Sequence, residues 1–271
     1  MGESVPLLPH FKRPPLIETV CGIQFKPLSN FSAVHFGEFF QVVKAEYPEV
    51  EDQPPLPEVF EGATPPVPGL SAQVVDRLPL PRLFYKDRTG NFLLQVQPSR
   101  FLSNWRKQKD SDEYPRFGAS QEKFVRGWKT FLEFLDSSGI GRPSVNQYEL
   151  SYINHISAEK GGSFPLALAE FLPMFSWVAE SRKFSSALEV AGSRIKYSLP
   201  DSKGALHVTI NHGTRKSDGA SIAVIDLTVR GPAKEDWSDF RDWFALAHES
   251  AVLMFVDITS PSAQALWERE A

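Results

Sequence analysis

The residues with the clearest chemical potential are two glutamates in strand-like segments. Glu18 lies in IETVCGIQF, and Glu149 lies at the corresponding position of YELSYINHI. If a pseudo-two-fold axis relates these segments, the two carboxyl groups face each other, and such a pair suits general acid–base catalysis. A glutamate within a strand is more often the acceptor of a salt bridge, so the sequence favours a structural role for both.

Three histidines of the second half form a candidate metal site. His155, His207 and His212 lie in or beside predicted strands, and Asp226 lies on a neighbouring one. Imidazole and carboxylate groups bind zinc, but the spacing of these residues matches no established ligand motif. The sequence therefore favours structural histidines and predicts neither a metal nor another cofactor. His248, in the predicted final helix, is expected to pack or to contact a partner.

A run of cationic and aromatic residues, QPSRFLSNWRKQK, is the candidate partner-binding surface. Arg100, Trp105, Arg106 and Lys107 combine positive charge with an aromatic ring, which suits phosphate groups and stacked bases. The chain as a whole is acidic, with a formal net charge of −4, which disfavours binding driven by phosphate contacts. These four residues are therefore predicted to bind a macromolecule, with protein favoured over nucleic acid.

The chain lacks the common catalytic signatures. It has no phosphate-binding glycine loop, no nucleophile elbow, no paired CxxC motif and no HExxH. This absence favours a binding protein over an enzyme. The alternative is a small-molecule or nucleotide-handling enzyme with a pocket at the junction of the two halves, and its candidate residues are Glu18, Glu149, Tyr148, Tyr152 and His155.

Composition indicates an ordinary folded protein. The 271 residues are 42% hydrophobic and 23% charged, which allows a sizeable core. The single cysteine, Cys21, excludes an intrachain disulfide, and no apolar stretch approaches the ~20 residues of a membrane span. The N-terminal sequence also lacks the apolar run of a secretory signal. We therefore expect a cytoplasmic protein that does not bind membranes.

The elements predicted to position these residues recur in the same order in both halves. A strand at 16–28 is followed by a helix at 29–48, a proline-rich loop at 49–70, several short strands and a helix at 121–139. The second half again shows a strand, a short helix, three strands and a final helix at 235–259. This recurrence of order suggests an internal duplication.

The pattern predicts an α+β protein built from two tandem β-α-antiparallel sheet-α units, residues 1–140 and 141–271. The units form either one continuous curved sheet with the two long helices on one face, or two separate domains. The element order is similar to that of TATA-binding proteins and of helix-grip folds, which is a likeness of topology only.

Three sequence blocks carry a family resemblance: PPLIETVCGIQF, LQVQPSRFLSNWRK and NQYELSYINHI. Together with the C-terminal segment FRDWFALAHESAVLMF, they make the chain resemble a sporadically distributed family of bacterial proteins without an assigned activity. The patchy distribution implies an accessory function, such as a component of a toxin–antitoxin or phage-defence system. The resemblance also implies a protein partner encoded nearby, and it leaves open whether the chain forms an oligomer.

Overall fold

The computed structural model describes residues 8–61, 79–158, 164–165, 167–179, 188–216, 218–234 and 237–270. Its strands are β1 (His10–Phe11), β2 (Leu16–Phe25), β3 (Glu49–Gln53), β4 (Arg82–Lys86), β5 (Phe92–Gln97), β6 (Arg100–Arg106), β7 (Val145–Ser157), β8 (Ser193–Ser198), β9 (Ala205–Thr214), β10 (Ser221–Pro232) and β11 (Arg269–Glu270). Its helices are α1 (Ala33–Val43), α2 (Arg116–Ser137), α3 (Leu168–Phe171), α4 (Ser176–Ala179), α5 (Phe240–Ile258) and α6 (Pro261–Leu266). The predicted α+β class is confirmed.

Within these residues, nine strands form one sheet in the order β3-β4-β5-β6-β2-β7-β10-β9-β8. Every neighbouring pair is antiparallel. Strands of the first half occupy one side and strands of the second half the other, with β2 and β7 paired at the centre. The sheet is therefore continuous across the two halves.

The register of the central pair bears on the predicted duplication. The alignment that places Glu18 over Glu149 also places Val20 over Ser151, and Val20 and Ser151 are register partners. An antiparallel pair has a local two-fold axis normal to the sheet. Here that axis passes midway between Val20 and Ser151, the two residues that the alignment equates. This supports the duplication, which stays a prediction.

Helices α2 and α5 cover one face of the sheet and contact each other above its centre. The rings of Phe124 in α2 and Phe240 in α5 have centroids 5.6 Å apart. Beneath them, Phe25 of β2 contacts Trp128, and Tyr148 of β7 contacts Phe240, at 5.9 and 5.7 Å. These rings are buried because alternate residues of each strand point to the helices, and burial of aromatic surface stabilises the fold.

The predicted proline-rich loop at 49–70 is partly regular. Its first residues form the edge strand β3, and residues 54–61 then cross the sheet as an extended segment. The rest of that loop lies outside the described residues. None of the helices in the described part of the chain combines the length and the apolar character needed to cross a membrane.

Candidate functional site: the polar face of the sheet

The face of the sheet opposite α2 and α5 is here called the polar face. Because Phe25 and Tyr148 point to the helices, the residues that alternate with them on β2 and β7 point the other way. Residues that are paired across neighbouring strands point to the same face, so the registers also assign the residues of β5, β6 and β10. The polar face thus carries Glu18, Gln24, Gln97, Arg100, Asn104, Arg106, Gln147, Glu149, Ser151, Thr228 and Arg230.

Residues 54–61, PPLPEVFE, are here called the strap, and they cross the polar face. Pro54, Pro55 and Pro57 fix φ near the polyproline II value and lack an N–H group, so they keep the segment extended and disfavour a β ladder. The hydrogen bonds described between strap and sheet come from side chains of the sheet. The strap therefore lies on top of the strands.

Four buried side chains in one cross-strand row hold the strap. Gln97, Arg100, Gln24 and Gln147 are successive register neighbours on β5, β6, β2 and β7. Gln97, Gln24 and Gln147 are each 3% exposed and Arg100 is 5% exposed. Burying such groups is costly unless each finds hydrogen-bond partners, and the strap supplies them.

Two of the glutamines each bind the amide and the carbonyl of a single strap residue. Gln97 accepts from the Leu56 N–H and donates to the Leu56 carbonyl, both at 2.9 Å. Gln24 accepts from the Val59 N–H at 3.1 Å and donates to the Val59 carbonyl at 3.0 Å. A primary amide matches the donor and acceptor of a peptide group, so these contacts recognise backbone.

The other two members of the row extend this recognition. Gln147 donates to the Val59 carbonyl at 2.8 Å and accepts from the Glu61 N–H at 3.1 Å. Arg100 donates to the Pro57 carbonyl at 3.1 Å. Because these contacts use only backbone groups of the strap, they do not depend on the identity of its side chains.

The C-terminal end of the strap is held by ion pairs. The Glu61 carboxylate, 8% exposed, lies 2.8 Å from the Lys196 ammonium and also binds His207 Nε2. Burial opposes ionisation of Glu61, but the hydrogen bonds from Lys196 and His207 outweigh it and lower the pKa of the carboxyl group. The strap thus links β5, β6 and β2 of the first half to β7, β8 and β9 of the second.

The structure does not bring the carboxyl groups of Glu18 and Glu149 together. Both lie on the polar face, but Glu149 is opposite Gly22, further along β2. Glu18 instead binds Arg106 at 2.7 Å, and Glu149 binds Arg230 at 2.6 Å. Each arginine is the register partner of its glutamate on the adjacent strand. The facing carboxylate pair is absent because the register places Glu18 opposite Ile153 and Glu149 opposite Gly22, on either side of the paired residues Val20 and Ser151.

The candidate metal ligands do not converge either. His207 binds Glu61, whereas His212 contacts the backbone of Ala191. His155 is on β7, and burial lowers its pKa. In the part of the chain that the structure describes, no group of three or more histidine, cysteine or acidic residues could hold a metal ion.

The cationic and aromatic run is divided by strand alternation. Trp105 points to the helix side, is 3% exposed and contacts Tyr114 at 5.4 Å. Arg100 and Arg106 point to the polar face, where Arg100 binds the strap and Arg106 is ion-paired. Lys107 follows the end of β6. The predicted partner surface made of these four side chains together is therefore not formed.

The residues of the alternative enzyme hypothesis are also split between faces. Tyr148 and Tyr152 point to the helix side, and the Tyr148 hydroxyl donates to Asp239 at 3.1 Å. Glu18 and Glu149 lie on the polar face. The sheet separates these side chains, so they do not line one common pocket.

Sequence reasoning missed the glutamine row. Gln24, Gln97 and Gln147 lie at or near strand ends, where amide side chains are common. Their alignment in one row becomes visible only when the pairings of β5 with β6, β6 with β2 and β2 with β7 are known.

Comparison of the chain with models of known protein families and with curated proteins gives no match.

Proposed function

We propose that this protein is a non-enzymatic binding protein whose polar face holds an extended polypeptide segment of a partner protein. The row of Gln24, Gln97, Arg100 and Gln147, which binds the backbone of the strap, carries the proposal. In this proposal the strap occupies the site in cis, and a partner segment replaces it.

The spacing of the row fits an extended chain. Gln97 on β5 and Gln24 on β2 are two interstrand steps apart, about 9.6 Å. Leu56 and Val59, which these glutamines bind, are three residues apart, about 9.3 Å in polyproline II geometry. The face therefore suits a proline-containing segment, whose preformed conformation loses little entropy on binding.

The electrostatics of the polar face argue against the nucleic-acid alternative. Arg106 and Arg230 are neutralised by Glu18 and Glu149, and Arg100 is buried. Binding of a phosphate backbone requires cations that can exchange their counterions for phosphates. A surface of buried amide side chains and ion-paired arginines suits uncharged peptide groups better than it suits phosphates.

The proposal is tested by supplying the strap in trans. In a variant whose residues 54–61 are replaced by alternating glycine and serine, the cis segment keeps its backbone groups but loses the preformed conformation of its prolines and the ion pairs of Glu61, so it should occupy the site more weakly. A fluorescein-labelled peptide, PPLPEVFE, should bind this variant at least tenfold more tightly than the wild type in fluorescence anisotropy. Circular dichroism and thermal unfolding establish that the variant is folded.

Matched substitutions decide whether the row is responsible. In the glycine–serine background, Gln24→Leu combined with Gln147→Leu should abolish peptide binding. Gln53→Leu, which removes a glutamine on β3 outside the row, should leave it unchanged. If a folded glycine–serine variant fails to bind the peptide, or binds it equally well without Gln24 and Gln147, the proposal is wrong.

The family resemblance adds an expectation about the natural partner. A tagged chain purified from its native host should retain a stoichiometric protein encoded nearby, and the PPLPEVFE peptide should compete with that protein. A partner that stays bound at saturating peptide would use another surface.

A further inference from the structure

A cavity of about 360 Å³ lies on the helix side of the sheet, between the start of α2 and the middle of α5. The segment before β2 and the strands β7 and β10 complete its wall. Its volume is within the range of small-molecule pockets, about 300–1,000 Å³. The wall is predominantly apolar and includes Phe11, Leu16, Phe117, Leu227, Ala251 and Phe255.

A small polar cluster interrupts this apolar wall. The Tyr152 hydroxyl and His248 Nδ1 form a hydrogen bond of 2.7 Å, and the Phe117 ring stacks on the imidazole with a centroid distance of 4.1 Å. The Tyr114 hydroxyl is buried and lies near the hydroxyls of Tyr152 and Ser120, but within the described residues no group meets both the distance and the angle of a hydrogen bond to it. A buried hydroxyl in this state is a donor available to a ligand.

Three polar groups of the wall, those of Tyr114, Tyr152 and His248, are uncharged near neutral pH. Burial lowers the pKa of His248 to about 4 and raises the pKa of Tyr114 and Tyr152 above the ordinary tyrosine value. Arg116 and His10 also line the cavity; Arg116 is exposed and donates to the Phe11 carbonyl at 3.0 Å. An ionised ligand would thus lose its hydration without a buried counter-charge.

We propose that this cavity binds an uncharged, mainly aromatic or alicyclic small molecule that carries one hydrogen-bond acceptor for the Tyr114 hydroxyl. The apolar walls exclude water from the body of the ligand, and the tyrosine fixes its orientation. This site is separated from the polar face by the sheet, so it stands independently of the proposed polypeptide binding.

The neutral fluorophore 1-aminoanthracene tests the cavity directly. Its emission should rise saturably when it is titrated with the full chain at pH 7. Gly118 lines the cavity, and a Cβ there would meet no atom within 4 Å, so Gly118→Phe should fold, fill part of the space and weaken binding at least tenfold. Gly37, in α1, has the same open surroundings, and Gly37→Phe should keep wild-type affinity.

A second measurement tests the role of Tyr114. The ketone 2-acetylnaphthalene and the similarly shaped 2-ethylnaphthalene differ in a hydrogen-bond acceptor. The ketone should displace the fluorophore from wild type at about fivefold lower concentration, which corresponds to one ordinary hydrogen bond. Tyr114→Phe should remove that preference. Absence of saturable fluorescence, an effect of Gly37→Phe equal to that of Gly118→Phe, or a ketone preference that survives in Tyr114→Phe would each overturn the assignment.

Discussion

The buried imidazole of His248 should make the folded protein sensitive to acid, and one substitution should remove that sensitivity. Burial lowers the pKa of His248 to about 4, from an ordinary value of 6.5. Between these values the unfolded chain binds a proton that the folded chain does not, so the free energy of unfolding falls as the pH decreases. Above the upper value both states are neutral at this residue, and below the lower value both are protonated.

The magnitude follows from these two pKa values. The linkage relation gives a loss of about 2 kcal/mol in the free energy of unfolding between pH 7 and pH 5. His248→Phe keeps an aromatic ring against Phe117 but removes the titrating group. It also leaves the Tyr152 hydroxyl without its imidazole partner, which should cost about 1–2 kcal/mol at both pH values and leave the slope unaffected.

Urea unfolding followed by tryptophan fluorescence provides the assay. The difference in the free energy of unfolding between wild type and His248→Phe should shrink by about 2 kcal/mol from pH 7 to pH 5, while other titrating groups such as His155 and Asp226 cancel in that difference. Tyr152→Phe is the control, because burial causes the pKa shift of His248 and this variant keeps the imidazole. Equal pH dependence in wild type and His248→Phe would refute the reasoning.

Two further pairs of substitutions test contacts in the second half by urea unfolding. A Cβ on Gly231 would lie 1.9 Å from the Lys203 carbonyl oxygen, so Gly231→Ala should lower the free energy of unfolding by more than about 3 kcal/mol. Gly213→Ala is the control, because a Cβ there meets no atom within 4 Å, and it should be nearly neutral. Arg230→Met leaves the largely buried Glu149 carboxylate without its partner and should cost about 1–3 kcal/mol. Changing Glu149 to Leu as well should recover part of that loss, and a double variant as unstable as Arg230→Met would contradict the assignment.

The elements with a regular pattern of buried and polar residues could be predicted from the sequence. Strands β2 and β7 and helices α2 and α5 occur where their periodicity placed them, because each buries one face against the core. The start of α2 was placed too late, at 121: the helix begins at Arg116, and Phe117, seven residues before Phe124, already continues its buried stripe and lines the cavity.

The strap and its binding row could not be predicted in the same way. Pro54, Pro55 and Pro57 correctly indicated a segment outside the ladder, whereas residues 49–53 of the predicted loop form the edge strand β3. The backbone of 54–61 is bound by side chains from strands distant in sequence. Local propensity contains no information on such contacts, because they depend on non-local register. The treatment of the cationic and aromatic run as one surface has a different cause: it did not apply the local alternation of a strand, which places Trp105 and Arg106 on opposite faces.

The two proposed sites share the central strand pair, so their coupling can be argued from the sheet itself. Tyr152 borders the cavity and Gln147 holds the strap, both on β7. A ligand can couple these sites only by shifting an element between two arrangements. Strand β7 is hydrogen-bonded along both edges, to β2 and to β10, and these pairings oppose such a shift. We therefore expect independent binding. Saturating 1-aminoanthracene should change the affinity of the glycine–serine variant for PPLPEVFE by less than twofold, and a larger change would show that β7 moves when the cavity fills.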